Sequence, residues 1–292
     1  MHKPVMRDEV VNELDVQADK WFIDGTFGRG GHTREILERG GKVVAFDLDH
    51  DAIEFGERQF AEELANGHLK LIHGNFAQLS QLLKDAGFQH HDFHGAMFDL
   101  GMSSNQIEES ERGFTFQEDE PLDMRMNTDF GVTAADLVNA LPERHLKSLF
   151  WDFAQETSSS AIARRIVQAR EEKPFTTTKQ LADLIARVKP RKNSKLHPAT
   201  KVFMALRMAV NMELDNLTVL LDQVLHWIEP SGRLVFMSFH EGEDREVKQR
   251  FRAWEKSGRG VQVYKKPLMP SDEEIQENPR ARSVKVRVLE LL

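Results

Sequence analysis

The sequence predicts an α/β protein, an open parallel sheet with helices on both faces, interrupted by an inserted helical subdomain. Four short apolar stretches occur before residue 100, and each is followed by a segment with helical periodicity. After residue 104 only helical periodicity continues, to about residue 198. An apolar stretch of the strand type then returns, so the sheet is expected to resume beyond the insertion.

The first part of the core, residues 1–103, alternates predicted strands with helices of ordinary length. Such alternation is typical of a parallel sheet whose faces are both covered. The strands are predicted near residues 21–23, 43–46, 69–72 and 96–98, and the helices near 31–39, 51–65 and 77–86.

The insertion is predicted over residues 104–198, and the second part of the core over residues 199–292. This second part begins with a long helical stretch at 199–227 and continues into G-R-L-V-F-M-S-F-H, a fifth buried strand. A helix near 243–256 and a short strand at 261–264 follow. The alternating V-K-V-R-V-L-E-L at the end predicts a half-exposed antiparallel strand.

Composition excludes several classes of protein. The 292 residues are 40% hydrophobic and 29% charged, and no apolar run approaches the ~18 residues that a membrane span requires. The N-terminus lacks the apolar segment of a secretory signal, so a cytoplasmic location is expected. The absence of cysteine excludes disulfides, thiolate metal sites and cysteine nucleophiles, and no residue pattern predicts a metal site.

The stretch W-F-I-D-G-T-F-G-R-G-G-H-T-R predicts a strand, a glycine-rich loop and a helix start. Such a loop lets the main chain and the helix N-terminus approach a nucleotide cofactor. Asp47, at the end of the second strand, is placed to accept hydrogen bonds from ribose hydroxyls. These features fit NAD and S-adenosylmethionine equally, although the glycines do not complete G-x-G-x-x-G. The alternative is a tight turn that binds no ligand. His32 by itself is expected to cap the N-terminus of the helix or to pack against its neighbours.

Polar and aromatic residues also follow the third and fourth strands. Asn75 and Phe76 come after the third strand. Asn75 is expected to lie at the edge of an adenine, and Phe76 is expected to cover its face. Asp99 ends the fourth strand, at the edge of a parallel sheet where ligands bind. The alternatives are core packing for Phe76 and a structural, turn-capping role for Asp99.

With these residues in place, the chain resembles the bacterial small-subunit rRNA cytosine-N4 methyltransferase family, the RsmH or MraW type, along almost its whole length. The matching segments include H-K-P-V, I-D-G-T-F-G-R-G-G-H, F-D-L-G-M-S-S-N-Q, R-G-F-T-F, P-L-D-M-R-M, H-P-A-T-K and N-P-R-A-R-S. The resemblance implies a Rossmann-like class I methyltransferase sheet and S-adenosylmethionine as methyl donor. By motif match, it implies cofactor contacts at Gly30, Gly31, His32, Asp47, Phe76, Asp99 and Gln106.

The resemblance also implies the reaction, methylation of the exocyclic amine of a cytosine in the decoding region. Because methylation at carbon 5 ordinarily begins with cysteine attack, the absence of cysteine leaves nitrogen or oxygen as the target. We expect Asp99 and Ser103 to meet the target amine, and His240 to line the same crevice. Phe114 and Phe116 are predicted to stack on an extruded base, with core packing as the alternative.

The substrate, small-subunit rRNA, is expected to meet a basic run between residues 187 and 201. Its central cations are Arg191, Lys192 and Lys195, and a solvated loop is the alternative interpretation. Four cations late in the sequence are expected to add to this RNA-binding surface: Arg280, Arg282, Lys285 and Arg287. Glu241 and Gly242 replace a serine and a leucine that are usual in the family. Two other functions remain open from the residues alone, an NAD-dependent oxidoreductase and a catalytically silent RNA-binding relative.

Overall fold

The computed structural model describes residues 4–102, 111–129, 131–189 and 197–292. The chain divides into two compact units, one formed by Met1–Gly101 with Leu214–Leu292 and the other by Met102–Glu213. The second boundary therefore follows residue 213, whereas the sequence analysis placed it after residue 198. The difference arises because the segment after residue 198 buries Val202 and Leu206 in the core of the helical unit.

The first unit contains a seven-stranded sheet, which confirms the predicted α/β class. Its spatial order is β3-β2-β1-β4-β5-β7-β6. The strands β1 to β5 are parallel to one another, whereas β7 is antiparallel to both β5 and β6. The strands are β1 Trp21–Asp24, β2 Lys42–Asp47, β3 Leu69–His73, β4 Phe93–Asp99, β5 Ile228–Ser238, β6 Gly260–Gln262 and β7 Lys285–Leu291.

The terminal strand β7 is antiparallel, as the sequence predicts, but it is not half-exposed. Five of its seven residues are buried and the other two are partly buried, because β7 lies between β5 and β6 rather than at the edge of the sheet. Alternation of charged and apolar residues at an interior strand is possible here because Arg287 is buried against a carboxylate, Asp244.

Helices cover both faces of this sheet, and successive strand residues enter two different cores. In β2, Val43 packs on one side and Val44 on the other, as the two-residue period of a strand requires. One layer includes α1 to α3 and the other α5, α11 and α12. The helices of this unit are α1 Arg7–Glu13, α2 Gly31–Glu38, α3 His50–Gln59, α4 Ala61–Ala65, α5 Leu79–Asp85, α11 Glu213–Gln223, α12 Glu241–Lys256 and α13 Asp272–Glu277.

Several local features of these helices were not predicted. Helices α1 and α13 were missed, and the pattern at 51–65 is divided at Phe60, which is fully buried between α3 and α4. The stretch at 199–227 is divided at Met212, whose φ of 51° interrupts a right-handed helix. Short 3-10 helices cover Phe76–Gln78, Val224–Trp227 and Pro279–Ser283.

The second unit has its own helical core. Its described helices are α6 Ala134–Ala140, α7 Glu143–Ala154, α8 Ser159–Glu172, α9 Thr178–Val188 and α10 Thr200–Val210. Helix α6 begins with a capping box between Thr133 and Asp136, and the side chain of Asn139 bonds both backbone groups of Phe175. Within the described ranges, no helix of either unit has the length and apolar character needed to cross a bilayer.

Candidate functional site

The loop between β1 and α2 is held in shape by glycines and by a hydrogen bond to β2. Gly28 has a φ of 54° and Gly30 a φ of 68°, values that a residue without Cβ adopts at little cost. A Cβ on Gly30 would also lie 2.7 Å from the rings of Phe27 and Phe60. The amide of Phe27 donates to the carbonyl of Phe46 at 2.8 Å. The loop is therefore fixed against β2.

Asp47, the predicted ribose-binding acid, ends β2 and supports this loop. Its Oδ2 accepts from the amide of Gly28 at 2.7 Å, and its Oδ1 accepts from the amide of Asp49 at 2.8 Å. Burial raises the pKa of Asp47 to about 6, although these hydrogen bonds act in the opposite direction. Because each carboxylate oxygen has a further lone pair, Asp47 can hold the loop and still accept from a ligand hydroxyl.

Two further carboxylates, those of Asp24 and Asp99, end the strands β1 and β4. Asp24 is buried at the end of β1, where its Oδ2 accepts from the hydroxyl of Thr33 at 2.7 Å and its Oδ1 from the amide of Thr26 at 3.1 Å. The backbone amide of Asp99, at the end of β4, donates to the Thr26 hydroxyl at 2.7 Å. Among the described residues, the Asp99 carboxylate accepts only from the amide of Gly101, at the long distance of 3.5 Å.

These three acids place three buried or partly buried carboxyl groups at one edge of the sheet. Burial raises the pKa of Asp24 to about 6 and that of Asp99 to about 7, and the charges of Asp24 and Glu243 raise the latter further. Among the described residues, no lysine or arginine forms an ion pair with Asp24, Asp47 or Asp99. The strands β2, β1 and β4 are neighbours. A cationic ligand at this edge would favour the ionised form of all three acids.

Gly31 and His32 contact the N-terminal segment of the chain. A Cβ on Gly31 would lie 2.0 Å from Cγ of Pro4, so only glycine fits beside this proline. His32 is buried, and its Nε2 lies 3.3 Å from the carbonyl of Val5. Burial lowers the pKa of His32 to about 4, so the ring is neutral. Both residues thus support the start of α2, in agreement with the packing role considered for His32.

Phe76 and Asn75 follow β3, as predicted. Asn75 caps the short 3-10 helix through its Oδ1, which accepts from the amide of Ala77 at 2.9 Å. The ring of Phe76 is partly buried and meets the ring of Phe98 edge to face, with 6.3 Å between centroids. The remaining exposed part of the Phe76 ring is available to cover a flat ligand.

His240, predicted to be catalytic, caps the N-terminus of α12. Its Nδ1 accepts from the amides of Gly242 and Glu243 at 3.1 and 3.3 Å, so this nitrogen carries no proton. Its Nε2 lies 2.9 Å from Oε1 of the buried Glu243, although the atoms are not aligned for a hydrogen bond. Glu243 completes a capping box by accepting from the amide of His240 at 3.3 Å, and it also accepts from the amide of Phe239 at 2.8 Å. The basic lone pair of His240 is therefore already used by the helix.

Asp244 has a partner that the sequence analysis assigned elsewhere. Its carboxylate is bonded by Nε of Arg287 at 2.7 Å and lies 3.4 Å from Nζ of Lys285. Burial opposes ionisation, but the hydrogen bond and charge of Arg287 dominate and hold the pKa of Asp244 below its usual value. Lys285 also pairs with Glu241 at 2.8 Å. Arg287 and Lys285 are thus engaged within this unit, contrary to the RNA-binding role considered for them.

In the helical unit, the predicted stacking residues are part of the packing. Phe116 lies against the rings of His197 and Phe203, each with 4.8 Å between centroids. Phe114 is partly buried on the same core, with the Arg112 guanidinium 5.6 Å from its ring centre. The core-packing alternative therefore accounts for both contacts. The predicted residues Ser103, Gln106, Arg191, Lys192 and Lys195 lie outside the described residues.

Sequence reasoning missed three residues of this site. Asp24 was seen only as a strand end, and Thr26 and Thr33 were not singled out, although together they join β1, β4 and α2. The signal was present in the motif D-G-T, in which an acid ends an apolar strand and a hydroxyl follows two residues later. Burial of the acid, which sets its pKa, is not readable from the motif.

The comparisons with known proteins identify the family of the chain. The family model described as the MraW methylase family matches residues 1–292. Two relatives, both named ribosomal RNA small subunit methyltransferase H, come from Beijerinckia indica and Coxiella burnetii. The first is 45% identical, over 98% of this chain and 84% of its own. The second is 38% identical, over 100% of this chain and 99% of its own.

Solved structures align more weakly. An rRNA methylase from Streptococcus thermophilus, for example, has a TM-score of 0.46 and 13% identity, over 100% of this chain and 99% of its own. The assignment therefore rests on the family model and the relatives, which do not support the oxidoreductase or the silent-relative alternative. The chain belongs to the MraW methylase family, and its sheet agrees with the predicted Rossmann-like class I methyltransferase fold.

Proposed function

We propose that this protein transfers a methyl group from S-adenosylmethionine to the exocyclic N4 of a cytosine in small-subunit rRNA. Family membership and the names of the relatives support the reaction. The structural observation that carries the proposal is the set of three carboxylates, Asp24, Asp47 and Asp99, around a fixed glycine loop without a described cationic partner. A sulfonium cofactor supplies the positive charge that this edge of the sheet lacks.

The residues fit such a cofactor in chemical type. Asp47 would accept from the ribose hydroxyls, and Phe76 would cover the adenine with the exposed part of its ring. Asp99 would bind the cationic amino acid end. Gly30, Gly31 and His32 would act through the loop, because a side chain at either glycine meets its neighbours and His32 packs on Val5. Gln106, implied by the family motif, stays a prediction.

The chemistry requires a poor nucleophile to lose a proton. S-Adenosylmethionine supplies an electrophilic methyl group on a positively charged sulfur. Asp99 is suited to accept a hydrogen bond from the cytosine amine and to take its proton, because a carboxylate has two oxygens and only one of them is needed to bind the cofactor. Ser103 stays a predicted second acceptor. We assign His240 a positioning role, since its Nδ1 holds the start of α12.

The substrate side of the proposal concerns the second unit. The basic run through Arg191, Lys192 and Lys195 would neutralise rRNA phosphates. Phe114 and Phe116 would support the fold of that unit, and their stacking on an extruded base stays a prediction. Charge reversal at Arg191 and Lys192 should weaken rRNA binding and reduce its salt dependence while cofactor affinity stays unchanged. We further propose that the substrate is presented within a ribosomal particle in the cytoplasm.

Two measurements test the proposal. Calorimetry should show that S-adenosylhomocysteine binds and that NADH does not. Asp47→Ala should weaken the binding of S-adenosylhomocysteine, whereas the matched exposed variant Asp152→Ala should leave it unchanged. Transfer of labelled methyl groups to small subunits from cells lacking the gene, followed by nucleotide-resolved mapping, should place one new methyl group on a cytosine amine. Binding of NADH, or a label on another atom, would overturn the proposal.

A further inference from the structure

Helix α7, Glu143–Ala154, presents two chemically different faces. Its apolar residues Leu146, Leu149 and Phe150 are buried in the core of the helical unit. Arg144, Lys147 and Trp151 recur at spacings of three and four residues and are all exposed. Side chains at such spacings share one side of a helix. We call these three residues the α7 face.

The exposure of Trp151 is unusual for this chain. The residue is 46% exposed, whereas Trp227 and Trp254 are buried and Trp21 is only partly exposed. The two other residues of the α7 face are a guanidinium and an ammonium, so Trp151 is the one apolar side chain among these three. An indole held in water at this position loses the free energy that its burial would provide. The arrangement therefore indicates a ligand that covers one aromatic ring beside cations.

The charges around Trp151 favour an anionic ligand. Within the described ranges, neither Arg144 nor Lys147 has a hydrogen bond or an ion pair, so both are available to a partner. The neighbouring Glu143 lies 3.7 Å from Arg164, which offsets its charge. At the other end of α7, Nζ of Lys201 donates to the carbonyl of Gln155 at 3.0 Å and adds a third cation. Asp152 is the one acid beside the indole on α7.

We propose that the α7 face binds an unpaired segment of small-subunit rRNA, with a base stacked on Trp151 and phosphates bound by Arg144 and Lys147. The inference rests on the proposed function for the identity of the RNA. Aromatic stacking between cations is the usual way to hold a single strand. A protein partner would instead need a contiguous apolar core, which the α7 face lacks. The proposal makes no use of the basic run at residues 191–195.

The test measures binding and stacking on the full chain. A fluorescently labelled single-stranded rRNA fragment from the decoding region is titrated and followed by anisotropy at two salt concentrations. Trp151→Ala should weaken binding about tenfold, within the range of one lost base stack, and Trp151→Phe should restore most of it. RNA should also quench the tryptophan fluorescence of the parent, and this quench should be lost in Trp151→Phe. Arg144→Glu with Lys147→Glu should weaken binding and reduce its salt dependence.

Matched controls separate the possible outcomes. Val132→Ala removes another exposed apolar side chain of the same unit, and Lys84→Glu reverses an exposed lysine on α5; both should bind RNA like the parent. S-Adenosylhomocysteine affinity should be unchanged in the Trp151 variants. If Trp151→Ala binds RNA normally, or weakens binding only to particles and not to naked RNA, the stacking proposal is wrong. If the parent neither binds S-adenosylhomocysteine nor methylates rRNA, the proposed function itself fails.

Discussion

Replacing Asp99 by asparagine should make the free protein more stable at high pH while removing activity. The carboxyl is partly buried and has little hydrogen bonding, and burial raises its pKa to about 7 in the fold against 3.8 as the ordinary value. Ionisation therefore costs the folded state more than the unfolded state. A carboxyl with a raised pKa contributes stability that is fully present below its unfolded pKa and is lost as pH rises through its folded pKa.

The magnitude follows from the pH window. Between pH 5 and pH 7 the carboxyl keeps its proton in the folded state but is ionised in the unfolded state. Each pH unit in this window lowers the free energy of unfolding of the parent by about 1.4 kcal/mol. By pH 8 the parent should therefore lose about 2.7 kcal/mol relative to Asp99→Asn. Because Asp99 is partly exposed, water screens part of this cost, and we expect about 2 kcal/mol. The loss of a proton acceptor should lower the methyl transfer rate about 100-fold or more.

The assay compares free energies of unfolding from urea titrations of parent and Asp99→Asn at pH 5 and pH 8, without cofactor. At each pH the free energy of unfolding of the parent is subtracted from that of Asp99→Asn, and the two differences are then compared. Groups that titrate in both proteins cancel in this comparison. The exposed variant Asp152→Asn serves as the matched control and should follow the parent at both pH values. An Asp99→Asn advantage that is the same at both pH values, or that is smaller at pH 8, would refute the reasoning.

Three further outcomes follow from the site. Gly30→Ala should destabilise the protein by about 1–3 kcal/mol, because the new Cβ meets two aromatic rings and the backbone is left-handed. Thermal unfolding measures this loss. Gly67→Ala is the control, because Gly67 is also left-handed but has open space around it, so it separates the steric clash from the backbone strain. Arg287→Met should cost about 3 kcal/mol, because the buried Asp244 would lose its short ion pair and keep only the longer contact with Lys285, as chemical denaturation would show. His240→Asn should keep the helix cap and most methyl transfer, whereas His240→Ala should lose about 1 kcal/mol of stability; equal and complete loss of turnover in both would establish His240 as a catalytic base.

The sequence predicted the parts of the fold that depend on short-range pattern. The first four strands and the glycine loop follow from apolar runs bounded by Gly and Asp, and the observed strands contain the predicted ranges. The burial of β7 could not be predicted, because alternating charge and apolar residues normally indicate a face in water. Only the pairing of Arg287 with Asp244, 43 residues apart in the chain, makes that pattern compatible with the sheet interior.

The candidate site was predictable in its residue types but not in its connections. Asp47 and Asp99 were found because they end apolar strands. The capping role of His240 depends on where α12 begins, which the sequence leaves uncertain by a residue or two. The packing of Phe116 against Phe203 joins residues that are distant in sequence. Such contacts depend on tertiary structure, and a single sequence carries no direct record of them.

The separation of β4 from β5 along the chain has a consequence during synthesis. These two strands are paired neighbours in the middle of the sheet, yet about 130 residues lie between the end of one and the start of the other. At about 5–20 residues per second, a ribosome needs on the order of 10 s to make that interval. Throughout it, the nascent β4 has an unsatisfied, apolar edge of the kind that recruits foreign strands. Chaperone demand should therefore peak before residue 228 emerges.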